Sequence, residues 1–190
     1  MKPFRLAIFA SGSGSNAVAI CKYFSRHAQI EVALIVSNNE QAGVLQKAQE
    51  LGIESITFSK KEFVEGGSVD TALQEKKITH IILAGFLWLV PSFLITRYPN
   101  KIINIHPALL PKFGGKGMYG ARVHETVRNS GDKETGITIH LVNEHFDEGK
   151  PLLQVTCPIS PSDSVVDIAA KVQALEHQHY PKTIESWVLS

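Results

Sequence analysis

The chain has 190 residues, of which 44% are hydrophobic and 19% charged, with a formal net charge of +1. That length suits one core-bearing domain, and the charge balance leaves no footprint for nucleic acid or an anionic membrane surface. Two cysteines far apart in sequence, Cys21 and Cys157, without a CxxC pair, argue against a disulfide framework and against a cysteine zinc site.

Residues 4–10 (FRLAIFA) form a short apolar run, the pattern of a strand buried on both faces, and stop at Ser-Gly-Ser-Gly-Ser. Residues 16–26 read as a helix, 30–37 as a second strand, and 44–51 as a helix closed by Gly52. A short strand at 54–58 precedes a weakly helical stretch, 61–77, interrupted at Gly66-Gly67. Residues 78–84 form a strongly apolar strand, 91–98 a helix opened by a proline, and 102–105 another strand. After a Pro- and Gly-rich loop, 106–120, come a helix at 119–129 and strands at 136–142 and 152–157, with Asp147-Glu148-Gly149 between them. Asp163 is expected to cap a last helix from 165 to about 187, and Pro181 to kink or break it. Alternating strands and helices imply a parallel sheet with right-handed crossovers. No apolar run approaches the roughly 20 residues that span a bilayer, and no signal-peptide pattern opens the chain. A soluble cytoplasmic protein is expected.

Three segments carry residues suited to chemistry. In the first, Ser11-Gly12-Ser13-Gly14-Ser15-Asn16, a glycine loop lies between a strand and a helix, where free amides attract anions. Gly12, Gly14 and Ala17 satisfy GxGxxA. The second strand nevertheless ends in Ser37-Asn38-Asn39, without the acid that a dinucleotide site uses, so the loop reads as a single-phosphate site. An unliganded tight turn is the other reading. In the second segment, Asn104 and His106 alternate on one strand and share a face at its C-terminal end, where open α/β sheets bind ligands. An amide donor beside an imidazole suits acyl transfer, because fixed donors stabilise a tetrahedral oxyanion. The third, residues 143–149, offers Asp147 to orient that imidazole or move a proton, or else is a solvated acidic turn. No metal site is expected: His124-Glu125 has no second histidine four residues after the first, and His177 and His179 do not share a helix face.

Taken together, residues 10–16 (ASGSGSN), Ser37-Asn38, 84–86 (AGF), 104–112 (NIHPALLPK), 136–140 (GITIH), 146–149 (FDEG) and 173–177 (QALEH) resemble the folate-dependent formyltransferases. The resemblance covers nearly the whole chain. It implies a Rossmann-like α/β formyltransferase fold: a mostly parallel central sheet, antiparallel C-terminal strands and a long C-terminal helix. One domain, 1–190, would comprise a phosphate-binding half, 1–100, and a catalytic and folate-binding half, 101–190.

The activity the resemblance implies is transfer of the formyl group of 10-formyltetrahydrofolate to the amine of glycinamide ribonucleotide, in purine biosynthesis. Asn104, His106 and Asp147 would be the catalytic group. Gly12, Ser13, Gly14, Ser15 and Asn16 would hold the substrate phosphate and Glu176 its ribose. The folate would lie along Leu87, Trp88, Leu89 and Val90 and along Asn143, Glu144, His145 and Phe146. Lys112 or Lys116 would assist the phosphate. Leu87-Trp88 and Glu65-Gly66-Gly67 depart from the Met-Arg and the Arg of many relatives. In this reading a protonated His106 and Asn104 stabilise the oxyanion, and Asp147 raises the imidazole's pKa. A monomer or homodimer, with no metal, is expected. The rival readings are a formyltetrahydrofolate hydrolase, a methionyl-tRNA formyltransferase and a non-enzymatic nucleotide-binding module. The related hydrolases carry an extra N-terminal domain, for which the expected boundaries leave no room.

Overall fold

A computed structural model of the protein describes residues 3–190. The elements are β1 (Phe4–Phe9), α1 (Ser15–Phe24), β2 (Ile30–Ser37), α2 (Gly43–Glu50), β3 (Ser55–Thr57), α3 (Lys60–Glu65), α4 (Ser68–Glu75), β4 (His80–Leu83), α5 (Ser92–Arg97), β5 (Ile102–His106), α6 (Ala121–Ser130), β6 (Glu134–Leu141), β7 (Pro151–Pro158) and α7 (Val165–Leu189). The seven strands form one sheet in the order β3-β2-β1-β4-β5-β6-β7, with strands from both halves of the chain. β3 to β5 pair in parallel, whereas β6 and β7 join antiparallel.

The continuous apolar runs of the first strands follow from burial on both faces. In β1, Leu6 and Ile8 pack with α1, α2 and α7, while Ala7 and Phe9 pack with Phe58, Phe63, Val69 and Leu94 on the opposite face. β5 divides likewise: Ile103 and Ile105 join the first core and Ile102 the second. Phe58, Phe63, Phe86 and Trp88 extend the second core as a group of tilted and edge-on rings with centroids 4.8–6.5 Å apart.

Two expectations for α7 change. The cap is Ser164: it and Asp167 form a reciprocal capping box, the serine hydroxyl accepting the Asp167 amide. The Asp163 carboxylate instead accepts the Ser160 amide at 2.8 Å and pairs with Lys171. Nor does the helix break at Pro181. Proline removes one backbone hydrogen bond, but Tyr180, Pro181, Ile184 and Val188 are buried together and hold both parts on the sheet. Tyr180 also donates from its hydroxyl to the Leu83 carbonyl at 2.8 Å, which ties α7 to the end of β4. Among the described residues no helix is long and apolar enough to cross a membrane.

Candidate active site

The ends of β1, β4 and β5 open into one cleft of about 680 Å³, within the usual range for small-molecule sites. Its lining includes the glycine loop, residues 87–90, Asn104, His106, His140, Asp147 and Glu176.

At one end lies the glycine loop. Gly14 has φ +76°, and a Cβ there would stand 2.5 Å from Val44 Cγ2, so both conformation and space demand glycine. Gly14 caps α1 without a side-chain hydrogen bond, and the first turn holds no acid, so its amides are left to an anion. The loop is fastened to α7: Asn16 Nδ2 donates to Glu176 Oε2 at 2.9 Å, and Gln173 Nε2 to Ser15 Oγ at 3.2 Å. Burial raises the Glu176 pKa, against the lowering effect of the Asn16 hydrogen bond. Lys116 lines this cleft, whereas Lys112 is held outside it by Asp132, 2.6 Å away.

At the centre, β5 and β6 set the register. Asn104 lies opposite His140 and His106 opposite Thr138. Asp147 reaches this pair from the β6–β7 loop, at φ +59°, a conformation aspartate tolerates better than most residues. Its Oδ1 accepts from Asn104 Nδ2 at 3.4 Å and stands 3.6 Å from His140 Nε2. Its Oδ2 accepts the Gly115 amide at 2.9 Å and faces His106 Nδ1 at 3.5 Å. His106 Nε2 donates to the Phe113 carbonyl at 2.7 Å. His140 Nδ1 donates to the Leu141 carbonyl at 2.8 Å, so its Nε2 is left to accept the Asn104 amide at 3.1 Å.

Asn104, His106 and Asp147 therefore converge, but the resting state of His106 differs from expectation. Burial lowers its pKa, and the raising effects of Asp147 and the Phe113 carbonyl do not overcome this. The ring is neutral near neutral pH. Burial also opposes ionisation of Asp147, but the neighbouring His140 and His106 rings and the Gly115 amide together outweigh it and keep the carboxylate ionised.

Next along the lining, where the Leu87 amide donates to Ser11 Oγ at 3.0 Å, Leu87 and Leu89 are exposed at the rim, Trp88 leans on the aromatic core and Val90 is buried. Asn143, His145 and Phe146 complete this wall, whereas Glu144 is exposed and outside the lining. This wall offers an apolar strip along which a flat ring could stack.

The family model described as Formyl transferase matches residues 4–184. The chain belongs to the formyl transferase family. This family member is 42% identical over 190 residues to the chloroplastic phosphoribosylglycinamide formyltransferase of Vigna unguiculata, covering 96% of this chain and 60% of that protein. It is 35% identical over 190 residues to the phosphoribosylglycinamide formyltransferase of Bacillus subtilis, covering 97% and 94%. The crystal structure of the phosphoribosylglycinamide formyltransferase of Brucella melitensis superposes with a TM-score of 0.88 at 34% identity, covering all of this chain and 97% of that one. The chain spans 60% and 64% of the two plant relatives, less than two thirds of each.

Among the histidines that line the formyl transferase's cleft, sequence reasoning gave no site role to His140 or His124. His140 enters only through the β5–β6 register, which no local pattern encodes. His124 lines the cleft from α6, although its sequence context excluded only a zinc motif.

Proposed function

We propose that the protein transfers the formyl group of 10-formyltetrahydrofolate to the primary amine of glycinamide ribonucleotide, as in purine biosynthesis. The observation that carries this reading is the convergence of Asn104, His106 and Asp147 in a cleft whose far end is a glycine loop. The loop amides of Ser13, Gly14, Ser15 and Asn16, with Lys116, hold the phosphate, and Gly12 gives the backbone room. Glu176 takes a ribose hydroxyl. Leu87, Trp88, Leu89 and Val90, facing Asn143, His145 and Phe146, receive the pterin.

The bound folate supplies an activated one-carbon unit. The remaining chemistry belongs to the side chains. Neutral His106 takes up the proton that the acceptor amine releases as it attacks the formyl carbon. Asp147 and the Phe113 carbonyl, on either side of the ring, stabilise the imidazolium so formed. That imidazolium and the Asn104 amide then face the oxygen that bears the negative charge, and His106 returns its proton to the departing nitrogen. The attacking atom is the substrate's own, so no protein nucleophile is required.

The test is the absorbance change of folate release by purified protein, with and without glycinamide ribonucleotide. Turnover that requires the acceptor is expected. Equal turnover without it would make the protein a hydrolase, and no turnover in either case a binding module.

A further inference from the structure

His124 stands at the end of the first turn of α6, is 8% exposed and lines the cleft. Of the three buried histidines there, it alone has no hydrogen-bond partner among the described residues, for His106 holds the Phe113 carbonyl and His140 the Leu141 carbonyl and the Asn104 amide. Its Nδ1 is fully buried and unpartnered, and Nε2 is the nitrogen that keeps access to the cleft. The tautomer follows from this asymmetry. A buried orphan N–H costs more than a buried orphan lone pair, so the proton sits on Nε2. Burial first, and the neighbouring His106 second, lower the pKa, so the ring remains a neutral donor.

The other donors around the reacting centre are engaged at rest. Both amide hydrogens of Asn104 are directed at His140 and Asp147, and the Gly115 amide is bound to Asp147. The Nε2–H of His124 is held in place and uncommitted. It sits at the positive end of a helix whose first turn holds no acid, where a negative charge is favoured. We propose that His124 donates a hydrogen bond from Nε2 to an anionic oxygen in the cleft, either a phosphate oxygen of the bound acceptor or the formyl oxygen that gains charge during transfer. This rests on the acceptor-dependent transfer proposed above.

The experiment is steady-state kinetics of the intact protein at saturating 10-formyltetrahydrofolate with glycinamide ribonucleotide varied, for wild type, His124→Leu and His124→Gln. Leucine keeps the apolar volume and removes the donor. Glutamine places an N–H at similar reach. Replacing a buried unsatisfied ring by leucine is expected to leave the melting temperature within a few degrees, which is measured in parallel. The expected result is at least a tenfold loss of kcat/KM in His124→Leu, restored to within about threefold in His124→Gln. A loss confined to KM identifies the phosphate as the acceptor of the bond, and a loss confined to kcat identifies the transferred oxygen. Wild-type kinetics in His124→Leu overturn the proposal, and so does an equal loss in both variants, which would mean that the ring acts by packing. A wild-type protein inactive with glycinamide ribonucleotide would instead refute the transfer reading itself.

Discussion

Asp147→Asn removes one charge from the centre of the cleft and preserves the side chain's size. Its amide oxygen can still accept the Gly115 N–H, which the carboxylate accepts at 2.9 Å. The loss is the attraction between Asp147 Oδ2 and the charge that His106 gains on taking a proton, across 3.5 Å to Nδ1. Coulomb's law with an effective dielectric constant of about 20 puts this at about 5 kcal/mol. Water screens it little, since the two side chains are only 4% and 11% exposed. Incomplete proton transfer in the transition state and relaxation of neighbours reduce it to roughly 3 kcal/mol, or a loss of about a hundredfold in rate. The assay is folate release at saturating concentrations of both substrates. A fall in kcat of about a hundredfold or more is expected. KM for glycinamide ribonucleotide should change by less than about threefold, because Asp147 contacts Asn104, His106, His140 and Gly115 and not the glycine loop proposed to hold the phosphate, and the melting temperature by a few degrees at most. A folded Asp147→Asn protein with kcat within about threefold of wild type would refute the role assigned to the pair.

His106→Ala removes the proton acceptor and should lower kcat at least about a hundredfold with an unchanged circular dichroism spectrum; near-normal turnover would exclude His106 from the chemistry. Gly14→Val forces a side chain onto Val44 at a positive φ, so KM for glycinamide ribonucleotide should rise about tenfold or more, and an unchanged KM would remove the loop from the site. Because burial lowers the His106 pKa, the neutral form persists below the ordinary histidine value of about 6.5. Turnover should therefore be flat from about pH 8 to 6.5 and decline only below, with the acid limb displaced further down in Asp147→Asn; a decline that begins above pH 7 would contradict this. Burial pulls His80, beside Trp187, down to about 4. The folded state then binds fewer protons than the unfolded one, so its stability is complete above about pH 6.5 and is lost as pH falls toward 4, by at most about 3 kcal/mol. Urea midpoints at pH 7 and 4.5 should converge in His80→Phe relative to wild type, and an unaltered pH dependence would count against it.

The parts of the fold that depend on local chemistry could be read from the sequence. The run Phe4–Phe9 is apolar on both faces because helices cover both faces, and Ile30–Ser37 has the same cause. The break between α3 and α4 stands at Gly66-Gly67. The α7 cap misled because two adjacent residues, Asp163 and Ser164, both suit the position, and only the reciprocal partner Asp167 decides between them. The helix continues through Pro181 because tertiary burial outweighs a local helix penalty. At the site, the shared face of Asn104 and His106 was legible from the strand's period of two. The approach of Asp147 was not, since it depends on a loop folding back over β5, and neither was His140, which depends on pairing 36 positions away. The resting charge of His106 was misjudged because a sequence names a carboxylate neighbour and not the burial that opposes it.

The division of labour within β5 explains how five residues serve both the core and the site. Ile103 and Ile105 point into the core beneath α1 and α7, where Tyr180 also ties the helix to the Ile103 carbonyl at 3.3 Å. Ile102 begins the opposite face against the second core, but two and four residues later that face carries Asn104 and His106. There it is covered by the 113–115 loop and by Asp147, which meet His106 through the Phe113 carbonyl and a carboxylate oxygen. Loops bring backbone donors and acceptors that an apolar helix face cannot supply, so polar side chains can be buried at this end of the strand without losing partners. Gly114 makes the closeness possible: a Cβ there would lie 2.5 Å from Leu110 Cδ2 and 3.1 Å from Asp147 Cβ. The glycine-rich character of residues 114–117 thus has a cause at the reacting centre, because a bulkier residue at 114 would push Asp147 away from the imidazole it serves.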